Sequence, residues 1–101
     1  MSILKQYKEE KKQCKVTFKL PEKIAFDAKK VNLTGDFNNW DIESIPMKKS
    51  KNGVYTASVD LEKGKEYQFR YVLDGKTWSN DQEADHYIQN EFHTENSVVV
   101  I

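Results

Sequence analysis

The sequence predicts an all-β fold: an antiparallel β-sandwich of about seven short strands, preceded by a short N-terminal helix. Three observations carry this. Several stretches alternate apolar and polar residues with period two, as in "CKVTFKL" and "EYQFRYVL". Turn signals such as "KNG" and "DGK" separate them at close spacing. Strands do not alternate with helical segments, which argues against a parallel α/β sheet. The chain has 101 residues, enough for one domain with a small core.

Residues 2–12 read as an amphipathic helix. Ser2 is placed to cap it, and Leu4 and Tyr7 share one side at i, i+3 spacing. It is too short to be stable alone and must dock on something. The expected organisation is thus an N-terminal helical arm, residues 1–13, and a sandwich domain, residues 14–101.

From residue 14 the period becomes two. Cys14, Val16, Phe18 and Leu20 form one face, and Pro21 ends the strand. Residues 21–30 read as a polar loop. "VNL" at 31–33 is a short strand entering "TGDFNNWD". "PMKKS" and "VYTASVDL" flank a hairpin turn whose Asn-Gly accepts positive φ. Tyr55, Ala57, Val59 and Leu61 face one way. In the next strand Tyr67, Phe69, Tyr71 and Leu73 oppose Gln68, Arg70 and Val72. "TWS" follows the "DGK" turn. Residues 79–95 are polar with little strand signal, and "SVVVI" closes the chain as an apolar strand.

Composition narrows the function classes. Hydrophobic residues make up 38% and charged residues 32%, which suits a soluble domain. No run reaches the roughly 20 apolar residues that span a bilayer, and the N-terminus has no signal-peptide pattern. A cytoplasmic location with no membrane contact is expected. Cys14 is the only cysteine and alternates with core residues, so it is expected in the core. Net charge is zero but uneven. Residues 1–30 hold nine Lys against four acids, leaving +5, and residues 31–101 seven Lys or Arg against twelve acids, leaving −5. An acidic body repels phosphate, so nucleic acid is not an expected partner.

Nothing marks an enzyme. "NDQEADH" places Asp81, Glu83 and Asp85 at alternate positions, like half a calcium loop, but lacks the Gly at six and the Glu at twelve. A solvated acidic loop is the better reading, with no metal site. His86 and His93 have no nucleophile at a convincing spacing. No Gly-rich phosphate loop is present. No catalytic residue, metal or cofactor is expected.

Binding has better support. Trp40 and Trp78 are the only tryptophans, and each lies at or beside a turn. An indole offers a flat apolar face on which the C–H face of a sugar ring stacks, while hydroxyls reach polar neighbours. Arg70 and Gln68 share a sheet face, and Asn96 precedes the last strand. An amide both donates and accepts, matching a vicinal diol. Pattern alone leaves each Trp open between this role and plugging an end of the core. Phe37 is expected in the core, continuing the inward side of Leu33.

"VNLTGDFNNWD", then "PMKKSKNGVYTASVDLEKGKEYQFRYVLDG", then Trp78 and "NSVVVI" together resemble the family-48 carbohydrate-binding modules. These are the immunoglobulin-like, early-set domains found N-terminal to isoamylases and branching enzymes. The glycogen-binding domain of AMP-activated protein kinase beta subunits is similar. The resemblance spans roughly residues 14–101 and implies an immunoglobulin-like sandwich that binds glycogen, starch-like α-glucan or maltooligosaccharide. It implies a platform of Trp40 and Trp78, with Arg70 and Asn96 bonding sugar hydroxyls. Phe92 and Thr94 are the nearest matches to a protruding apolar residue and a Thr in the preceding loop. Gln68 and Lys76 are candidate assistants. Arg70 stands where the kinase-type domain usually has Lys, and "DGKTW" has one residue more before its Trp. A second reading is a targeting module that docks a separate glycogen-metabolising enzyme through Ile3, Leu4 and Tyr7 of the expected helix.

Overall fold

A computed structural model describes residues 3–7, 12–25, 28–92 and 94–101. Among them are nine strands. In chain order these are β1 (Ile3–Tyr7), β2 (Gln13–Leu20), β3 (Val31–Gly35), β4 (Lys48–Lys49) and β5 (Tyr55–Glu62). After them come β6 (Glu66–Leu73), β7 (Thr77–Ser79), β8 (His86–Gln89) and β9 (Glu95–Val100). They form two antiparallel sheets. The first runs β1-β2-β5-β4. The second runs β3-β6-β9-β8, with β7 also paired to β6. The expected all-β sandwich is present, with the strand faces assigned from sequence. Cys14, Val16, Phe18 and Leu20 are buried from the first sheet, and Phe69, Tyr71, Leu73 and Val99 from the second. The Phe18 ring meets Phe69 edge-on at 4.9 Å and Phe37 at 5.8 Å, so Phe37 packs on the core as expected. No described helix is long and apolar enough to cross a membrane.

The N-terminal helix expected over residues 2–12 is not what forms. Residues 3–7 are a strand, paired along its whole length with β2 from Ile3 opposite Phe18 to Tyr7 opposite Cys14. Residues 8–11 and Ser2 lie outside the described residues. The i, i+3 pair of Leu4 and Tyr7 suggested a helix, yet an isolated helix of about three turns gains little. Pairing on the exposed edge of β2 satisfies that strand's backbone groups and buries Ile3. Lys5 points inward at this edge and meets Asp85 of the other sheet's border at 2.7 Å. An inward charge of this kind discourages further edge pairing. The polar segment also yields more than expected: β8 pairs with β9 from His86 opposite Val98 to Gln89 opposite Glu95. Glu22–Ala25 makes one helical turn within the predicted loop.

β3 departs from simple alternation. Its sequence reads as half-buried, but all five residues are buried. Asn32 and Thr34 point away from the core, sharing a face with Val72 and Arg70 through their register. Their burial means that a second layer of side chains covers the outer face of this sheet.

Candidate functional site

That second layer begins with the turn after β3. Gly35 leads into a 3₁₀ turn, Asp36–Asn38, and then two successive residues take positive φ, Asn39 at 56° and Trp40 at 58°. Positive φ is uncommon for a bulky residue and needs support from its surroundings. The Asn38 side chain supplies much of it. Its Oδ1 accepts the Gly35 N–H at 3.0 Å, and its Nδ2 donates to the Asp41 carbonyl and to Ser44 Oγ. The Trp40 N–H closes the turn on the Gly35 carbonyl at 2.9 Å. A Cβ at Gly35 would collide with the Gln68 carbonyl and with Phe69, so glycine lets the turn lie directly on β6. Asp36 then ties the indole to the sheet: Trp40 Nε1 donates to Oδ1 at 3.1 Å, and the Gln68 N–H donates to Oδ2 at 2.8 Å.

Trp78 arrives from the other direction. The β6–β7 hairpin turns on Asp74 and Gly75, both at positive φ, and sets Trp78 opposite Val72. Trp78 therefore shares the outer face with Arg70 and Gln68. The two indole centroids lie 6.4 Å apart with their planes inclined by 34°. Trp78 is 40% exposed and Trp40 half-buried. The Arg70 guanidinium carbon sits 5.7 Å from the centre of the Trp78 ring, a cation–π distance. Partial burial pushes the Arg70 pKa below its ordinary value, but the group remains cationic at neutral pH.

Polar groups continue across the sheet. Asn96 Nδ2 donates to Gln68 Oε1 at 3.0 Å, and Asn90 Nδ2 donates to Asn96 Oδ1 at 3.1 Å. The Asn90 side-chain oxygen, Oδ1, accepts the N–H groups of Phe92 and Thr94 at 2.9 and 3.2 Å. This shapes the β8–β9 loop so that Phe92 stands 75% exposed at the rim. The groove so formed has a volume of about 640 Å³.

Seven residues singled out in the sequence meet in this groove. Trp40, Trp78, Arg70 and Gln68 line one part, and Asn96, Phe92 and Thr94 the other. Lys76 does not join them and lies exposed in the β6–β7 turn. Asp36, Asn90 and Glu91 line the groove but were not singled out. The "GD" before "FNNW" and the Asn opening the loop were the available signals for the first two. The acidic segment is not a plain solvated loop. Asp81 is buried and accepts the Tyr71 hydroxyl at 2.6 Å, and burial followed by this carboxylate pushes Tyr71 well above its ordinary pKa. His93 lies outside the described residues.

Residues 7–88 match the family described as carbohydrate-binding module 48 (isoamylase N-terminal domain). The chain belongs to that family. The match includes both tryptophans and Arg70 and stops before Phe92, Thr94 and Asn96. Among curated relatives, the chain is 32% identical over 73 residues to the 5'-AMP-activated protein kinase subunit beta-1 of Sus scrofa, covering 72% of this chain and 55% of that one. The Homo sapiens subunit gives the same identity, with 25% of its length covered. Protein PTST homolog 2, chloroplastic, of Arabidopsis thaliana is 41% identical over 54 residues, 54% of this chain and 10% of that protein. The chain thus spans about half the length of the pig relative and a quarter or less of the other two.

Proposed function

We propose that this carbohydrate-binding module binds α-1,4-linked glucan without catalysis, stacking successive sugar units on Trp40 and Trp78. The observation that carries the reading is the pair of neighbouring indoles at 6.4 Å and 34°. A flat ribbon of sugars suits coplanar rings, whereas an α-linked chain curves and presents its faces at an angle. Arg70, Gln68 and Asn96 offer donors and acceptors beside the platform, matching sugar hydroxyls. Phe92 and Thr94 border the chain's path. Lys76 is left outside this set.

If each indole gives up about 50–70 Å², the pair contributes roughly 3 kcal/mol at about 25 cal/mol per Å². Ordering costs offset part of this and of the area buried on the sugar. The expected net is about −4 to −6 kcal/mol, millimolar to tens of micromolar. The ligand is neutral, so affinity should hardly change with salt. Maltoheptaose titrated against tryptophan fluorescence tests the reading, with a β-1,4-linked oligomer as control. A saturable change for the α-linked sugar alone supports it. Equal responses to both, or none at millimolar sugar, would sink it.

Docking of a separate glycogen-metabolising enzyme is a compatible second role, favoured by relatives that are named as a kinase subunit. The cytoplasm is the proposed compartment, and a single buried cysteine accords with reducing surroundings.

A further inference from the structure

β6 changes partner part-way along one edge. Its residues Glu66 to Phe69 pair with β9, and Tyr71 to Leu73 pair with β7. Arg70 stands at the change. The second sheet therefore forks there, with Trp78 on one branch and Asn96 on the other. A fork leaves backbone groups along its inner edges without a neighbouring strand, and buried ones must be met in some other way.

One side chain fills the fork. Asn80 follows β7, and its Oδ1 accepts the Ser97 N–H at 3.0 Å while its Nδ2 donates to the Glu95 carbonyl at 2.7 Å. The Ser97 hydroxyl donates to the same Oδ1 at 2.9 Å. A primary amide carries a donor and an acceptor in the geometry of a peptide group, so Asn80 takes the place of a strand beside β9. Its two backbone partners flank Asn96. A second clamp lies next door, where the Asp81 N–H donates to Ser97 Oγ at 2.9 Å.

We infer that Asn80 is a positioning residue for the glucan-binding groove, setting the distance between Trp78 and Asn96 across the fork of the sheet. The inference rests on the sugar-binding reading of that groove. Asn80 does not line the groove, and it acts through the backbone on either side of Asn96. Asn80→Asp keeps the acceptor for Ser97 but turns an oxygen towards the Glu95 carbonyl. Asn80→Ala removes both bonds.

The test measures maltoheptaose affinity and Ser97 amide exchange in the wild type, Asn80→Asp and Asn80→Ala, with folding followed by circular dichroism. Asn80→Asp is the working variant should Asn80→Ala fold poorly. The expected result is a folded variant with a faster-exchanging Ser97 amide and affinity roughly five- to tenfold weaker, about the worth of one well-placed hydrogen bond. Adding Asn96→Ala to the Asn80 variant should then cost less than in the wild type, whereas Trp40→Ala should cost the same in both. A purely structural role would weaken all of these alike. Wild-type affinity in folded Asn80→Asp, an unchanged Ser97 amide, or equal Asn96→Ala costs in both backgrounds would overturn the inference. A wild type that binds no maltoheptaose would instead remove the sugar-binding reading, and the positioning role with it.

Discussion

The outer faces of the two sheets start from similar sequence and end differently. On the first sheet Lys15 lies opposite Asp60, and Thr17 opposite Ser58. Thr17 and Ser58 share a 2.9 Å hydrogen bond, and β2 shows plain alternation of buried and more exposed residues. On the second sheet Asn32 and Thr34 are only 2% and 0% exposed, and on the same face Val72 opposite Asn32 and Val98 on β9 are buried too. One face is a solvated polar ladder. The other is the floor beneath the aromatic layer that holds Trp40 and Trp78. Where a strand that should be half-buried is buried on both faces, something has been built on top of it.

The largest expected effect probes how closely that upper layer lies on the sheet. Gly35→Ala should destabilise the fold by about 2–3 kcal/mol, since its methyl group meets the Gln68 carbonyl and Phe69. Alanine at Gly64, where a Cβ meets nothing, suffers only from positive φ and should cost about 1 kcal/mol. Urea unfolding of both variants makes the comparison. Next, Trp78→Ala should lower maltoheptaose affinity by about 1.5–2 kcal/mol while the fold survives, because the ring lies outside the core cluster. Calorimetric titration measures the loss.

Threonine to valine sharpens the contrast between the faces. Thr34 Oγ1 is buried and has no hydrogen-bond partner among the described residues. Thr34→Val should be neutral or stabilise by up to about 1 kcal/mol. Thr17→Val should cost about 0.5 kcal/mol, because it breaks the bond to Ser58.

The smallest effect concerns the edge where the two sheets meet. Burial raises the Asp85 pKa, but bonds from Lys5 and the Val100 N–H outweigh it and leave the carboxyl below its ordinary value. A carboxylate depressed in the folded state stabilises above its unfolded pKa of about 3.9, and that stability is lost as pH falls through the lower folded value. Both groups are partly exposed and therefore screened. Lys5→Met should cost about 0.3 kcal/mol at pH 6, and the difference should begin to shrink below about pH 4 and vanish once the pH is under the depressed folded value. Thermal melts across that range check the sign.

Much of the fold was legible because buried strands advertise themselves through alternation, as β2, β5 and β6 do. The edge strands were not. β1 is held by backbone bonds to β2, which leave no trace in side-chain pattern, and its inward Lys5 hid the period. All four residues of β8 are exposed, so it had no pattern to offer. In the groove the aromatic and basic residues were legible from type and turn context. Asp36 and Asn90 were missed because they act on neighbouring backbone and side chains, and Asn80 because its partners lie 15 and 17 residues away.

The most direct measurement follows the two indole N–H resonances by NMR as maltoheptaose is added. If one glucan chain rests across both rings, the Trp40 and Trp78 signals must move together along a single saturation curve. Movement of one alone, two separate curves, or no movement at millimolar sugar would contradict the shared platform.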